Sequence, residues 1–120
     1  ELKNKVQILC FDEFCEYDFL GSLCLSSDYI LLPYVYTIQS SGIIGYGAQF
    51  KTPVVAPNSG LLGKLVKKYK LGCLVDLSTS KSIAEFILNN SLNHMKGNID
   101  SKYLEDHQKK QFINQILNEL

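Results

Sequence analysis

Thr52-Pro-Val-Val-Ala-Pro-Asn-Ser-Gly-Leu-Leu-Gly-Lys-Leu-Val-Lys-Lys-Tyr-Lys-Leu-Gly-Cys-Leu-Val75 is the stretch that decides the fold. It opens on Val54-Val-Ala56, a short apolar run behind Pro53 that reads as a strand. Leu61, Leu62, Leu65, Val66 and Tyr69 then recur at helical spacing, with Lys64, Lys67 and Lys68 on the opposite, wet side. Gly72 stands where a glycine would stop that helix, and Cys73-Leu-Val75 is another short strand. A strand, a helix and a strand in immediate succession form a βαβ unit, and such units build a parallel sheet.

The same alternation continues on both sides. Upstream, Val6-Gln-Ile-Leu-Cys-Phe11 reads as a buried strand, and Tyr17, Leu20, Leu23 and Cys24 mark a helix ending near Ser26-Ser27. Asp28-Tyr-Ile-Leu-Leu32 is a further strand, closed by Pro33, which cannot donate to a ladder. Residues from Tyr34 to Ser41 show no period and read as a loop. Gly42 to Phe50 reads as a helix in which Gly45 and Gly47 signal close packing or close approach of a ligand. Downstream, Ser82-Ile-Ala-Glu85 has the form of a capping box opening a helix with Ile83, Phe86 and Ile87. A polar stretch from Asn89 to Asp100 leads to a last helix with Phe112, Ile113, Ile116, Leu117 and Leu120 on one face. The expectation is an α/β, Rossmann-like fold: a small four-stranded parallel sheet flanked by helices over residues 1–100, then a C-terminal helix over 101–120.

Composition narrows the function classes. The chain has 120 residues, 46% apolar and 20% charged, which suits one globular domain. Twelve Lys and Arg balance twelve Asp and Glu, so the basic surplus of a nucleic-acid binder is missing. The longest apolar run, Tyr29 to Leu32, is far short of the ~20 residues of a membrane span. Cys10, Cys15, Cys24 and Cys73 contain no pair at zinc-ligand spacing and are expected to be buried free thiols in a reducing compartment, with no metal.

In open α/β sheets, ligands bind beyond the carboxyl ends of the strands. The candidate loops therefore follow Phe11, Leu32, Ala56 and Val75. Thr37-Ile-Gln-Ser-Ser-Gly-Ile43 places hydroxyls and a glycine where a helix begins, which suits an anion and suits equally an ordinary N-cap by Ser40 or Ser41. Pro57-Asn-Ser-Gly-Leu61 has the same character on the next strand. Asp12 and Glu13 fit a functional carboxylate or a solvated turn. His94 and His107 stand away from any strand end and read as surface histidines. No Walker loop and no GxGxxG is present.

Asp28-Tyr-Ile-Leu-Leu-Pro-Tyr34, Ser41-Gly42, Thr52-Pro-Val-Val-Ala56, Asn58-Ser-Gly60 and Leu71-Gly-Cys-Leu-Val75 together, in this order and spacing, resemble the C-terminal domain of GT-B glycosyltransferases, nearest the retaining group 1. The likeness covers roughly residues 6–90. It implies half of a GT-B fold that holds a nucleoside-diphosphate sugar as donor substrate, with no other cofactor. Gln39, Ser40, Ser41, Gly42 and Ile43 would meet the diphosphate, Asn58, Ser59, Gly60 and Leu61 would lie beside the donor, and Tyr46 would fall near the ribose. Two glutamates common in the family are replaced by Tyr46 and by Ile38 or Gln39, and the catalytic residues stay unassigned. The family's upstream units and N-terminal acceptor-binding domain are not in these residues, so the chain is expected to be a fragment that does not catalyse transfer alone. The implied location is the cytoplasm, or a membrane surface reached through the acceptor domain. Two readings from other classes are a non-catalytic α/β association module and a phospho-receiver. The receiver lacks a strand before Asp28 and has Pro33 where its acceptor Asp would stand.

Overall fold

The computed structural model describes residues 7–39, 41–89 and 94–119. The order is α1 (Tyr17–Ser26), β1 (Ile30–Leu31), α2 (Ile43–Gln49), β2 (Val54–Pro57), α3 (Gly60–Lys68), β3 (Gly72–Val75), α4 (Ser80–Asn89), α5 (Lys102–Asp106) and α6 (Lys109–Glu119). The three strands are parallel in the order β1-β2-β3, with Ile30 opposite Val54 and Val54 opposite Gly72. The fold is α/β, Rossmann-like, with helices on the sheet and a helical C-terminus.

Alternation along the strands sets two cores. Val54 and Ala56 face α2 and α3 and pack with Ile44, Leu62, Val66 and Leu71. Val55 faces the other way, toward Phe86 of α4 and Leu77. Ile30 and Leu31 split between the two sides in the same manner. Val54, Val55, Ile44, Leu62, Val66 and Leu71 are wholly buried, and each large side chain among them contributes roughly 1.5–3 kcal/mol by leaving water. Gly47 lets α2 settle on β2, because a Cβ there would meet Val54 Cγ2 at 2.7 Å and the Thr52 carbonyl at 3.0 Å. Of the two roles its sequence allowed, Gly47 serves close packing.

Several expectations change. Residues 7–11 form no strand, and Ile8, Leu9, Phe11 and Cys10 are exposed; Val6 lies outside the described residues. An apolar run becomes a strand only by pairing, and residues 7–11 join neither outer edge of the sheet. Edge strand β1 is two residues long, and Pro33 ends its ladder. Cys24 alone of the four thiols is buried; burial pushes up the pKa of both Cys24 and Cys73. Gly72 does not stop α3. The helix ends at Lys68, Lys70 takes the positive φ of 53°, and Gly72 is already in β3. The N-cap of α4 is Thr79, whose Oγ1 accepts from the Ser82 N–H at 3.1 Å, so the cap lies three residues before the expected box.

The stretch before α5 is not merely polar. Ile99 is buried, Met95 packs against both cores, and Lys96 Nζ donates to the carbonyls of Leu25 and Ser27. The last helix is two helices, broken at His107 and Gln108. His107 is not simply solvated: its ring stacks on Tyr103 at 4.1 Å and meets Tyr69 edge-on. All described residues of α6 are exposed, Phe112, Ile113, Ile116 and Leu117 included; Leu120 lies outside them.

Thr52 is the buried polar residue that ties α1 to the sheet, donating from Oγ1 to the Cys24 carbonyl at 2.7 Å. Thr52→Val keeps the shape and removes that bond, while the Ser27 N–H still serves Cys24 at 3.3 Å. The expected cost is about 1 kcal/mol in a denaturant titration. A cost near zero would mean that the Lys96 bond to Leu25 and the contacts of Tyr17 with Tyr46 and Phe50 hold α1 without it.

Candidate functional site

All three strands run the same way, so the loops after them and the starts of α2, α3 and α4 gather at one end of the sheet. A cleft of about 500 Å³ opens there, walled by Tyr34 and Val35 after β1, Asn58 and Ser59 after β2, and Asp76, Leu77 and Ser78 after β3.

The first two loops are fastened to each other. The Thr37 and Ser59 hydroxyls are hydrogen-bonded at 2.9 Å, and the Leu62 N–H donates to the Thr37 carbonyl at 3.3 Å. Gly60, at φ +62°, allows this approach: a Cβ there would lie 2.1 Å from the Thr37 carbonyl oxygen. Ser59 is the N-cap of α3 but makes no side-chain bond into it, since its hydroxyl is turned to Thr37.

At the start of α2, Ser41 Oγ accepts from the Ile43 N–H at 3.2 Å and lies 3.1 Å from the Tyr34 hydroxyl. The N-cap function of this turn thus falls to Ser41, and Tyr34 joins it to the cleft wall. Gly42 faces open space, with nothing within 4 Å of a Cβ.

Asn58 and Ser59 therefore line the cleft. Gly60 sits just behind them in a shallower hollow of about 250 Å³ with Lys64 and Lys67, and Leu61 is part-exposed beside it. Ser41 is one hydrogen bond away from the cleft through Tyr34, with Gly42 and Ile43 following it; Gln39 is exposed in the same loop and Ser40 lies outside the described residues. Tyr46 belongs elsewhere: it meets Tyr17 and Phe50 and lines an apolar hollow of about 200 Å³ with Leu20, Leu23, Tyr29 and Ile43. Asp12, Glu13 and His94 are exposed and line none of these hollows.

The residue that sequence reasoning missed is Asp76. It follows β3 directly, so its position at a strand end was the available signal. The Ser78 hydroxyl, with the Ser78 N–H donating to Oδ1 at 3.0 Å, holds its carboxyl below the ordinary range. An ionised acceptor on one wall and hydroxyls with a helix start on the other make a cleft of two characters. It can accept from hydroxyl or amide donors near Asp76, and the start of α3 behind Ser59 favours an anion. Among the described residues, no three His, Cys, Asp or Glu side chains stand together as a metal site requires, and no helix is long and apolar enough to cross a membrane. No protein family, curated protein or solved structure matches this chain.

Proposed function

We propose that this cleft binds a nucleoside-diphosphate sugar and that the chain is the donor-binding half of a GT-B-type glycosyltransferase. The observation that carries the reading is the fastening of the β1 and β2 loops by the Thr37–Ser59 bond over Gly60, at the carboxyl end of a parallel sheet. The diphosphate would lie against the Ser41–Ile43 turn and the start of α3, where backbone N–H groups and two helix dipoles favour negative charge. Asp76 repels phosphate and accepts from hydroxyls, so it would face the ribose or the sugar. Tyr46 takes no part in this arrangement. The acceptor-binding domain of such an enzyme would supply the other wall of the cleft, and transfer would require it.

The test is the melting temperature of the chain with UDP, GDP, ADP or inorganic phosphate. A ligand at a hundred times its Kd adds about 2.7 kcal/mol, a shift of roughly 4 °C or more at this size. Response to one nucleoside diphosphate and not to phosphate is expected; no response to any of the four would sink the reading. Gly42→Val is the companion variant. It meets open space at a helical φ of −57°, so stability should change by less than about 0.5 kcal/mol. The ligand-induced shift should vanish, because the added side chain keeps phosphate from the backbone. An undiminished shift would remove that turn from the site.

A further inference from the structure

The cleft itself is short of positive charge for the ligand proposed. Asp76 is the one charged side chain among the residues that line it. A diphosphate beside an ionised carboxylate is repelled unless a cation offsets it. The backbone at the start of α3 is also partly committed: the Leu62 N–H donates to the Thr37 carbonyl and the Gly63 N–H to the Ser59 carbonyl. A phosphate at this end therefore needs side-chain donors.

The missing charge lies next door. The hollow of about 250 Å³ shares Asn58 and Ser59 with the cleft and is lined by Lys64 and Lys67. Three apart on α3, these lysines are neighbours on one face, and their like charges repel. Among the described residues the ion pairs are Lys81–Glu85 and Lys102–Asp106, so neither lysine has a carboxylate partner. No Asp or Glu occurs between Asp28 and Asp76. Gly60 and Gly63 line the same hollow without side chains, which leaves it open to a phosphate. We propose that Lys64 and Lys67 seat a phosphate of the donor in this hollow while its hydroxyls reach Asp76, so that one ligand spans both spaces across Asn58 and Ser59. The inference rests on the reading of the cleft as a donor site and names the side chains that hold the donor there.

Calorimetric titration of the chain with UDP, GDP, ADP and inorganic pyrophosphate tests it. One nucleoside diphosphate and pyrophosphate should bind, and both should bind more weakly as salt rises. Lys64→Gln and Lys67→Gln should each weaken both ligands by about fivefold, and the double variant by roughly twentyfold. Both side chains are exposed, so these variants should keep the native melting curve. Lys68→Gln is the control. It removes the same charge from a lysine whose Nζ lies over the Tyr69 ring, outside the hollow, and should change affinity by less than about twofold. A nucleoside diphosphate that binds the double variant as tightly as the native chain overturns the inference and leaves the donor reading standing. A loss with Lys68→Gln equal to that with Lys64→Gln overturns it too, because net charge rather than the hollow would then hold the anion. Pyrophosphate bound through the two lysines, with no nucleotide bound, keeps them as phosphate ligands and removes the donor reading. No binding of any of the four overturns both.

Discussion

Gly72→Ala is expected to leave the chain without a cooperative melting transition. Gly72 opens β3 directly opposite Val54 of the central strand. A Cβ there would stand 1.8 Å from the Val54 carbonyl oxygen and 2.5 Å from its nitrogen. Backbone atoms cannot swing aside as a side-chain end can, and β2 is paired on both edges and fully buried. Relief therefore requires β3 to leave β2, which takes with it Cys73 and Val75 from one core and Leu74 from the other. The loss is expected to exceed about 4 kcal/mol, a large part of a domain's usual 5–15 kcal/mol. Gly97→Ala is the control: it has positive φ, 80°, but open space around it, and should cost only about 1 kcal/mol. A Gly72→Ala chain melting within a few degrees of the native one would show that β3 is not locked to β2.

The same glycine shows how far the sequence could be read. Gly72 was visible as punctuation, and a helix does end just before it. Its actual task, close approach of two strands, depends on a partner eighteen positions away and has no local signature. The positive φ at the helix end went to Lys70, which no composition rule singles out. Periodicity served where an element buries a face against its sequence neighbours, as in α3 and the β2–β3 unit. It failed where burial depends on distant chain. Residues 7–11 have the apolar content of a strand and pair with none of the three strands, whereas Ile99 is a lone apolar residue in a polar stretch and still reaches the core.

The site divides along the same line. That loops after the strands carry it follows from topology, and Asn58 and Ser59 were recognisable as small polar residues at a strand end. The Thr37–Ser59 bond and the place of Tyr34 were not legible, because each joins residues from two loops whose spacing only the folded sheet sets. Tyr46 was assigned by position along a helix, and its helical face turned it toward Tyr17 and Phe50 instead. Asp76 was legible and unread. Likewise the stripe on α6 was plain in the sequence, but its exposure is a property of the whole fold.

Gly60→Val should cost about 3 kcal/mol and abolish the response to nucleoside diphosphates. The first part of the cost is conformational: φ of +62° is unfavourable for a β-branched residue by roughly 1–2 kcal/mol. The second is a collision with the Thr37 backbone, 2.1 Å from the carbonyl oxygen and 2.5 Å from its carbon. Thr37 is on a loop, so it can retreat, and the domain should fold, unlike the Gly72 variant. Its retreat breaks the hydroxyl bond to Ser59 and the bond from the Leu62 N–H. The two walls of the cleft then part where the diphosphate is proposed to lie. Ser59→Ala breaks the hydroxyl bond alone, without strain, and should weaken binding only partially, since a single neutral hydrogen bond is worth about 1 kcal/mol. A graded loss from native to Ser59→Ala to Gly60→Val would tie binding to the fastening of the loops. A folded Gly60→Val chain that keeps native affinity would separate the two, and the Thr37–Ser59 link would then be a structural clasp that holds β1's loop against α3.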